Sequence, residues 1–269
     1  MKIEKDIHIG ILGCGWLGLE LGKSLVEKGY NVSGTTTHTD RLKTIEGNGI
    51  KPFLVQCDEN QISPTEFFDP LDFLFISLPP GVRKNPENRF DQTIETLIHR
   101  IKHTDIKKII FISSTSVYGN LEGEINEKSP LKPTTKSGEQ LLIAENLILN
   151  SDIEQVAIVR FGGLIGPNRH PIFSIAKQGI LKQPDGYINL IHLQDCIGIL
   201  NLLLHSPKKR ELINGVTPYH PTRKKYYFAM AEIANLTPPK IVKTPGNNRK
   251  IKSINLTYTF MVENLLTLS

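Results

Sequence analysis

Three glycines near the start of the chain, Gly13, Gly15 and Gly18, are spaced as G-x-G-x-x-G. An apolar run precedes them, a helical pattern of leucines follows, and a second apolar segment comes next. In this strand–turn–helix–strand context the first glycine permits a tight turn, the second lets the backbone approach a pyrophosphate, and the third lets the helix pack on the strand. A turn that only packs strand on helix explains the first and third glycines but not Gly15. The spacing therefore predicts a dinucleotide site, with the pyrophosphate at the helix N-terminus beside Trp16 and Leu17.

The end of the second predicted strand bears on which dinucleotide is bound. An acidic residue there usually binds the ribose 2′-OH of NAD, and this chain has Thr36 at that position. Together with His38 and Arg41, Thr36 suits a 2′-phosphate, and no carboxylate is present to repel it. The sequence therefore favours NADP, with these three residues as its contacts. Two alternatives stay open: a shifted register would bring in Asp40 and favour NAD, and Arg41 is otherwise a surface residue in the first turn of a helix.

Apolar segments alternate with helical patterns over the first 160 residues. A dinucleotide site of this kind requires such alternating strands and helices to hold it in position. The predicted strands lie near 7–12, 30–35, 51–55, 71–78, 108–113 and 155–161, and the predicted helices near 16–28, 39–48, 87–103 and 136–150. This alternation predicts an α/β fold, a Rossmann-type doubly wound parallel sheet with helices on both faces. Beyond Arg160 the pattern becomes irregular, with a helix expected at about 193–205 and another capped by Thr222.

The fourth predicted strand leads into a loop that has to leave the sheet. Its segment 71–78 reads as a strand buried on both faces, and Pro79 and Pro80 follow directly. Ligands of open α/β sheets bind at the carboxyl ends of the strands. Leu78, Pro79 and Pro80 are therefore expected to line the cofactor.

Composition limits the class of protein. The chain has 269 residues and a net charge of +5, and its basic clusters are short and scattered, which does not favour nucleic-acid binding. No apolar run is long enough to span a bilayer, and no signal peptide is visible ahead of the first strand. Three widely spaced cysteines indicate reduced thiols, and the eight histidines show no metal-ligand spacing. We expect a cytoplasmic protein that binds neither a metal nor a membrane.

Four segments together resemble one family. They are the glycine motif, Ser113-Ser-Thr-Ser-Val-Tyr-Gly119, Arg160-Phe-Gly-Gly-Leu-Ile-Gly-Pro167 and Ile191-His-Leu-Gln-Asp195. In this order and spacing the chain resembles, over nearly its whole length, an extended short-chain dehydrogenase/reductase of the NAD-dependent epimerase/dehydratase type.

The resemblance implies a division of the chain. A Rossmann domain would comprise 1–167 and 188–216, and a small C-terminal substrate lobe would comprise 168–187 and 217–269. It also implies that Asp58, after the third strand, contacts the adenine; the alternative is an exposed aspartate that caps a turn. His192 and Asp195 match a family motif that helps to shape the substrate side, although Asp195 alternatively only begins a helix.

The same resemblance locates the chemistry and shows a departure from it. It places Ser114 where a family hydroxyl bonds the reacting oxygen of the substrate; alternatively the hydroxyl satisfies backbone groups at the strand end. The family's tyrosine and lysine, four residues apart on the next helix, are replaced by Ser137 and Leu141, and no Tyr-x-x-x-Lys occurs in the chain. Ser137, at the tyrosine position, is thus the second candidate catalytic residue, although serine is a far weaker acid than a phenol. Lys136 is a candidate substitute cation, with a solvated lysine as the alternative.

Two functional hypotheses follow. The first is an NADP-dependent oxidoreductase or epimerase that acts on a polar, sugar-like or nucleotide-linked small molecule. Its substitute acid would be a tyrosine such as Tyr226 or Tyr227, or the substrate itself; alternatively both tyrosines only pack their helix or lie at the surface. The second is a catalytically inactive NADP(H)-binding sensor or scaffold, which the missing tyrosine and lysine favour. A homodimer is a further expectation from the resemblance.

Overall fold

The structure is a computed structural model that describes residues 6–58, 61–82, 85–244 and 248–268. The strands are β1 His8–Leu12, β2 Asn31–Thr36, β3 Lys51–Leu54, β4 Gln56–Cys57, β5 Ile62–Ser63, β6 Phe73–Ile76, β7 Lys108–Ser114, β8 Gly123–Ile125, β9 Gln155–Phe161, β10 Gly163–Ile165, β11 Ile180–Lys182, β12 Leu190–His192, β13 Arg210–Gly215, β14 Lys240–Val242 and β15 Arg249–Ile251. The α-helices are α1 Trp16–Glu27, α2 Leu42–Glu46, α3 Phe90–Ile101, α4 Lys136–Leu149, α5 Pro171–Gln178, α6 Leu193–His205 and α7 Arg223–Ile233.

A seven-stranded sheet in the order β13-β9-β7-β6-β1-β2-β3 forms the centre of the molecule. Each of its neighbouring pairs is parallel. The chain enters at β1, runs out to β3 and returns to β6 on the other side of β1, so the strand order reverses between β1 and β6. In doubly wound sheets, a ligand crevice opens at the carboxyl ends of the strands at this reversal. The predicted Rossmann-type fold is confirmed.

The central strands are apolar on both faces, as the sequence predicted for 71–78. Leu74 and Ile76 pack into one hydrophobic cluster with residues of α3 and α4, whereas Phe75 packs into a second cluster with α1 and α6. Successive side chains of a strand point to opposite faces, so one strand feeds both cores. The sheet is therefore covered by helices on both sides.

A third hydrophobic cluster lies under α5 and α7, away from the sheet. Ile172, Tyr226, Met230 and Leu265 are among its buried members. Thr222 caps α7, because its side chain accepts from Lys225 N at 3.3 Å, as predicted. Among the described residues, no helix is both long and apolar enough to cross a membrane.

Candidate functional site

The glycine turn after β1 is packed between two neighbouring strand ends. Gly13 has a φ of 104°, and a Cβ there would lie 2.9 Å from Ser77 O. Its N–H donates to Thr35 Oγ1 at 2.9 Å, and Cys14 N donates to Thr35 O at 2.8 Å. Only glycine adopts this conformation so close to another backbone without strain. The turn is thereby held against the end of β2.

The other two glycines differ in what surrounds them. A Cβ on Gly18 would overlap Gly13 O, whereas a Cβ on Gly15 would meet nothing within 4 Å. Gly15 is the N-cap of α1, it makes no side-chain cap, and the first turn of the helix has no acidic residue. The open space thus lies where the unpaired N–H groups of Trp16 and Leu17 and the positive end of the helix favour an anion. This is the geometry that a dinucleotide pyrophosphate fits.

The residues after β2 lie beside this turn. Thr36 is the last residue of β2 and is buried, and its hydroxyl accepts from His38 N at 3.1 Å. Burial raises the pKa of the Cys14 thiol to about 12. The positive charge of Arg41 acts in the opposite direction on this pKa, so Arg41 lies near the glycine turn. His38 and Asp40 are exposed, and Asp40 lies in the 3₁₀ turn Thr39–Arg41, beyond the strand end.

Two further segments predicted to line the cofactor have clear positions. Leu78 Cδ2 lies 3.2 Å from the position of a Gly13 Cβ, so the loop after β6 touches the glycine turn. Pro79 is exposed there and Pro80 is buried. Asp58 Oδ1 accepts from Gln61 N at 3.0 Å, a contact of the kind that the turn-capping alternative predicts.

The structure brings the two candidate catalytic serines to neighbouring segments. Ser114 ends β7 and is half-buried, and its hydroxyl accepts from Ser116 N at 3.2 Å. A hydroxyl that accepts in this way still has its own proton to donate. Ser137 is half-buried in the first turn of α4, whose Gly138 would place a Cβ 2.9 Å from Ser116 O. The start of α4 therefore packs directly against the loop that carries Ser114.

The lysine position is apolar, and the candidate substitute cation Lys136 has partners of its own. Leu141, at the lysine position, is 4% exposed and belongs to the hydrophobic cluster under α3 and α4. Lys136 donates to Pro86 O, and its Nζ lies 4.0 Å from Glu87 Oε1. Lys136 thus joins the start of α4 to the loop before α3.

The two tyrosines considered as substitute acids are buried in the third hydrophobic cluster. Tyr226 is 1% exposed and Tyr227 is 3% exposed, and the Tyr226 hydroxyl donates to Leu265 O at 2.9 Å. Burial raises the pKa of both phenols, which makes them poorer proton donors at neutral pH. The expectation that either supplies an acid finds no support in this geometry.

A buried polar network behind the site was not foreseen from the sequence. Arg160, in β9, is 2% exposed and forms an ion pair with Glu145 of α4 at 2.6 Å. It also donates to the Tyr118 hydroxyl at 2.9 Å, and that hydroxyl donates to Asn214 Oδ1 at 2.9 Å. A sequence signal existed, since Glu145 shares the helical face of the buried Leu141 and Ile148.

The motif at the start of α6 anchors the C-terminal segment. Asp195 is fully buried and accepts from Met261 N at 2.7 Å, Val262 N at 3.2 Å and the Tyr258 hydroxyl at 3.3 Å. His192 caps the helix by accepting from Gln194 N at 3.3 Å. Asp195 thus does more than begin a helix. In the described part of the chain, no three His, Cys, Asp or Glu side chains group as metal ligands.

Comparisons with known proteins agree with this geometry. Protein YeeZ of Escherichia coli K12 is 37% identical over 238 residues, which cover 86% of this chain and 85% of YeeZ. YtcB of Bacillus subtilis, described as an uncharacterized UDP-glucose epimerase, is 24% identical over 72% of this chain and 71% of its own length.

A solved structure shares the fold over almost the full length. UDP-glucuronic acid 4-epimerase from Bacillus cereus, in complex with UDP-glucuronic acid and NAD, superposes with a TM-score of 0.80 and 20% identity, covering 95% of each chain. The family model of the NAD dependent epimerase/dehydratase family matches residues 9–178. On these grounds, together with the glycine turn at the strand reversal, the chain belongs to the NAD dependent epimerase/dehydratase family.

Proposed function

We propose that the protein binds NADP(H) and acts as an oxidoreductase or epimerase on a polar, sugar-like or nucleotide-linked small molecule. The open space at Gly15 carries this proposal, because a Cβ there would meet nothing within 4 Å while those of Gly13 and Gly18 would meet backbone. A residue whose lack of a side chain has no internal packing reason is best explained by a ligand that approaches its backbone.

The preference for NADP over NAD rests on the end of β2. The last residue of that strand is Thr36, so a carboxylate is missing at the position that commonly binds the 2′-OH of NAD. Arg41 lies near enough to the glycine turn to act on the Cys14 thiol. A guanidinium near both the end of β2 and the glycine turn suits the 2′-phosphate of NADP. Asp58, Leu78, Pro79 and Pro80 are further proposed cofactor contacts, as is His38.

The substrate class is proposed from the relatives and from Ser114. The Bacillus cereus protein holds UDP-glucuronic acid together with NAD, and YtcB is described as a UDP-glucose epimerase. In this chain Ser114 would donate a hydrogen bond to the reacting oxygen of a substrate, since its hydroxyl proton is not used by the contact with Ser116 N. A bound nicotinamide would supply hydride transfer. A substrate lobe at 168–187 and 217–269, a cytoplasmic location and a homodimer stay predictions.

A second candidate function is favoured by the start of α4. Ser137 and Leu141 stand where the family resemblance places a tyrosine and a lysine, and Leu141 is buried in the core. With neither a phenol nor an ammonium at these positions, the protein would bind the cofactor without turnover, as a sensor or a scaffold.

Calorimetric titration with NADPH and NADH tests the proposal. The wild-type protein should bind NADPH more tightly, Gly15→Asp should bind neither, and Arg41→Ala should lose the preference for NADPH. Unchanged NADPH affinity in Arg41→Ala would remove the assignment of the 2′-phosphate. Equal folding of Gly15→Asp, checked by thermal melting, is the control.

Turnover separates the two candidate functions. A panel of UDP-sugars and of simple carbonyl compounds is incubated with protein and cofactor, with absorbance at 340 nm reporting net oxidation and chromatography reporting epimers. Conversion of one substrate that is lost in Ser114→Ala supports the enzyme. Tight NADPH binding with no conversion across the panel supports the sensor or scaffold.

A further inference from the structure

A tight turn between β10 and α5 lies against the start of α1. Gly166 N donates to Arg169 O at 3.0 Å, and Arg169 N donates to Gly166 O at 2.9 Å. Asn168 within it has a φ of 59°, in the left-handed region. These bonds fix the backbone of Arg169 although its side chain is exposed.

Trp16 holds this turn beside the glycine motif. Its indole Nε1 donates to Pro167 O at 3.0 Å, and a Cβ on Gly166 would lie 3.2 Å from its ring. The guanidinium of Arg169 lies over the same ring, 4.8 Å from its centroid. Trp16 is also the first residue of α1, directly after Gly15. The guanidinium therefore lies over the residue that directly follows Gly15 in the chain.

In the part of the chain that the structure describes, no carboxylate forms an ion pair with Arg169, and the first turn of α1 has no acidic residue. Although the Arg169 side chain is exposed, the side of the guanidinium that lies against the protein is desolvated, which lowers its pKa. The helix N-terminus adds positive potential at the same place. Such a pair of features favours an anionic ligand.

We propose that Arg169, positioned by the indole of Trp16, binds the diphosphate of the dinucleotide together with the start of α1. The proposal rests on the proposed function and adds a residue to its cofactor site. The diphosphate is common to NAD and NADP, so Arg169 contributes to the affinity for both cofactors. Arg41, in contrast, acts only on the 2′-phosphate. The diphosphate of a UDP-linked substrate has the same chemistry, and the experiment distinguishes the two sources.

The test is calorimetric titration of NADPH, NADH, ADP-ribose and UDP into the wild-type protein and into Arg169→Gln. Arg169→Gln should weaken NADPH, NADH and ADP-ribose by a similar factor of about 10 or more, the usual effect of removing one charge-assisted hydrogen bond. UDP affinity should stay within about twofold of wild type, a difference too small to report a lost charged contact. Trp16→Leu should weaken the same three ligands, because it removes the surface on which the guanidinium rests.

Arg223→Gln is the matched control. Arg223 also lies over an aromatic ring, that of Tyr227 at 5.2 Å, but it belongs to α7. Its removal should leave all four affinities unchanged.

Three results would overturn the inference. One is a wild-type protein that binds dinucleotides while Arg169→Gln binds them equally well. Another is a loss confined to NADPH, which would assign Arg169 to the 2′-phosphate, and the third is a loss confined to UDP, which would assign it to the substrate. A wild-type protein that binds no dinucleotide would instead refute the proposed function itself, and this inference with it.

Discussion

The Arg160 guanidinium and the Glu145 carboxylate form a fully buried ion pair that joins β9 to α4. Arg160 Nε donates to Glu145 Oε1 at 3.0 Å and one terminal nitrogen donates to Oε2 at 2.6 Å. Ser113 donates to the same carboxylate at 2.5 Å. Since Ser113 precedes Ser114, and Ser137 lies in the first turn of the helix that carries Glu145, this pair fixes the relative position of both candidate catalytic segments.

We predict that Glu145→Gln strongly destabilises the fold. The substitution leaves the Arg160 charge buried without its counter-ion, which typically costs about 3–5 kcal/mol. The midpoint of urea denaturation, followed by circular dichroism, measures the loss. Asp152→Asn is the control, because Asp152 and its partner Lys102 are exposed and such pairs contribute little. Equal midpoints for Glu145→Gln and the wild-type protein would contradict the structural role of the pair.

Alanine at two of the glycines should separate folding from binding. Gly18→Ala brings a Cβ into overlap with Gly13 O and should lower stability by about 1–3 kcal/mol, as overpacking does. Gly15→Ala meets no neighbour and should lower the free energy of unfolding by no more than about 1 kcal/mol, the cost of a poorer N-cap, yet lose NADPH affinity. Thermal melting and calorimetry are run on both variants. Normal NADPH binding by Gly15→Ala would contradict a pyrophosphate at that position.

Much of the fold could be predicted because its signals are local. The glycine spacing located the turn after β1, and the apolar run at 71–78 gave β6 as a strand buried on both faces. Edge strand β13 was not foreseen, since Arg210 and Glu211 begin it and only part of it is buried. Its pairing with β9 stabilises it as a strand, although its own sequence does not indicate one.

The same distinction between local sequence signals and tertiary contacts applies to the candidate site. Thr36 ends β2 and Ser114 ends β7, where counting along the second strand and back from the motif of the resembled family, respectively, predicted them. Arg169 and Trp16 are more than 150 residues apart in the sequence, so no local pattern predicts their contact. The contact depends on how the turn after β10 packs. Roles that depend on such tertiary contacts need the structure.

Asp195→Asn should release the C-terminal segment. The carboxylate accepts from two backbone N–H groups, Met261 N and Val262 N, and an amide group can replace only one of its two oxygens as an acceptor. A buried N–H left unpaired costs about 1–3 kcal/mol. We expect a lower melting temperature and faster proteolysis near 258–262, mapped by mass spectrometry. The exposed Asp185, changed to Asn, is the control, and identical cleavage of both variants would contradict the anchoring role.

Acidification should destabilise the protein through His170. Ile172 N donates to its Nδ1 at 3.1 Å, so the proton of the neutral ring lies on Nε2, 2.9 Å from the Tyr226 hydroxyl. Burial lowers the pKa of His170 from 6.5 to about 4. Above pH 6.5 the ring is neutral in both states and its contribution is complete. As the pH falls from 6.5 towards 4, the unfolded chain binds a proton that the native ring does not, so stability is lost over that window.

Between pH 6.5 and 4 we expect His170 to lower the free energy of unfolding by about 2 kcal/mol, after allowance for solvent screening. Urea midpoints are measured for the wild-type protein and for His170→Gln across this pH range. Burial also lowers the pKa of His220, so both proteins should lose stability in acid, but the wild type should lose more. Because His220 is common to both, the difference between the two curves isolates His170. Parallel curves would show that the native His170 ring binds a proton as readily as the unfolded chain does, contrary to its burial and its contact with Ile172 N.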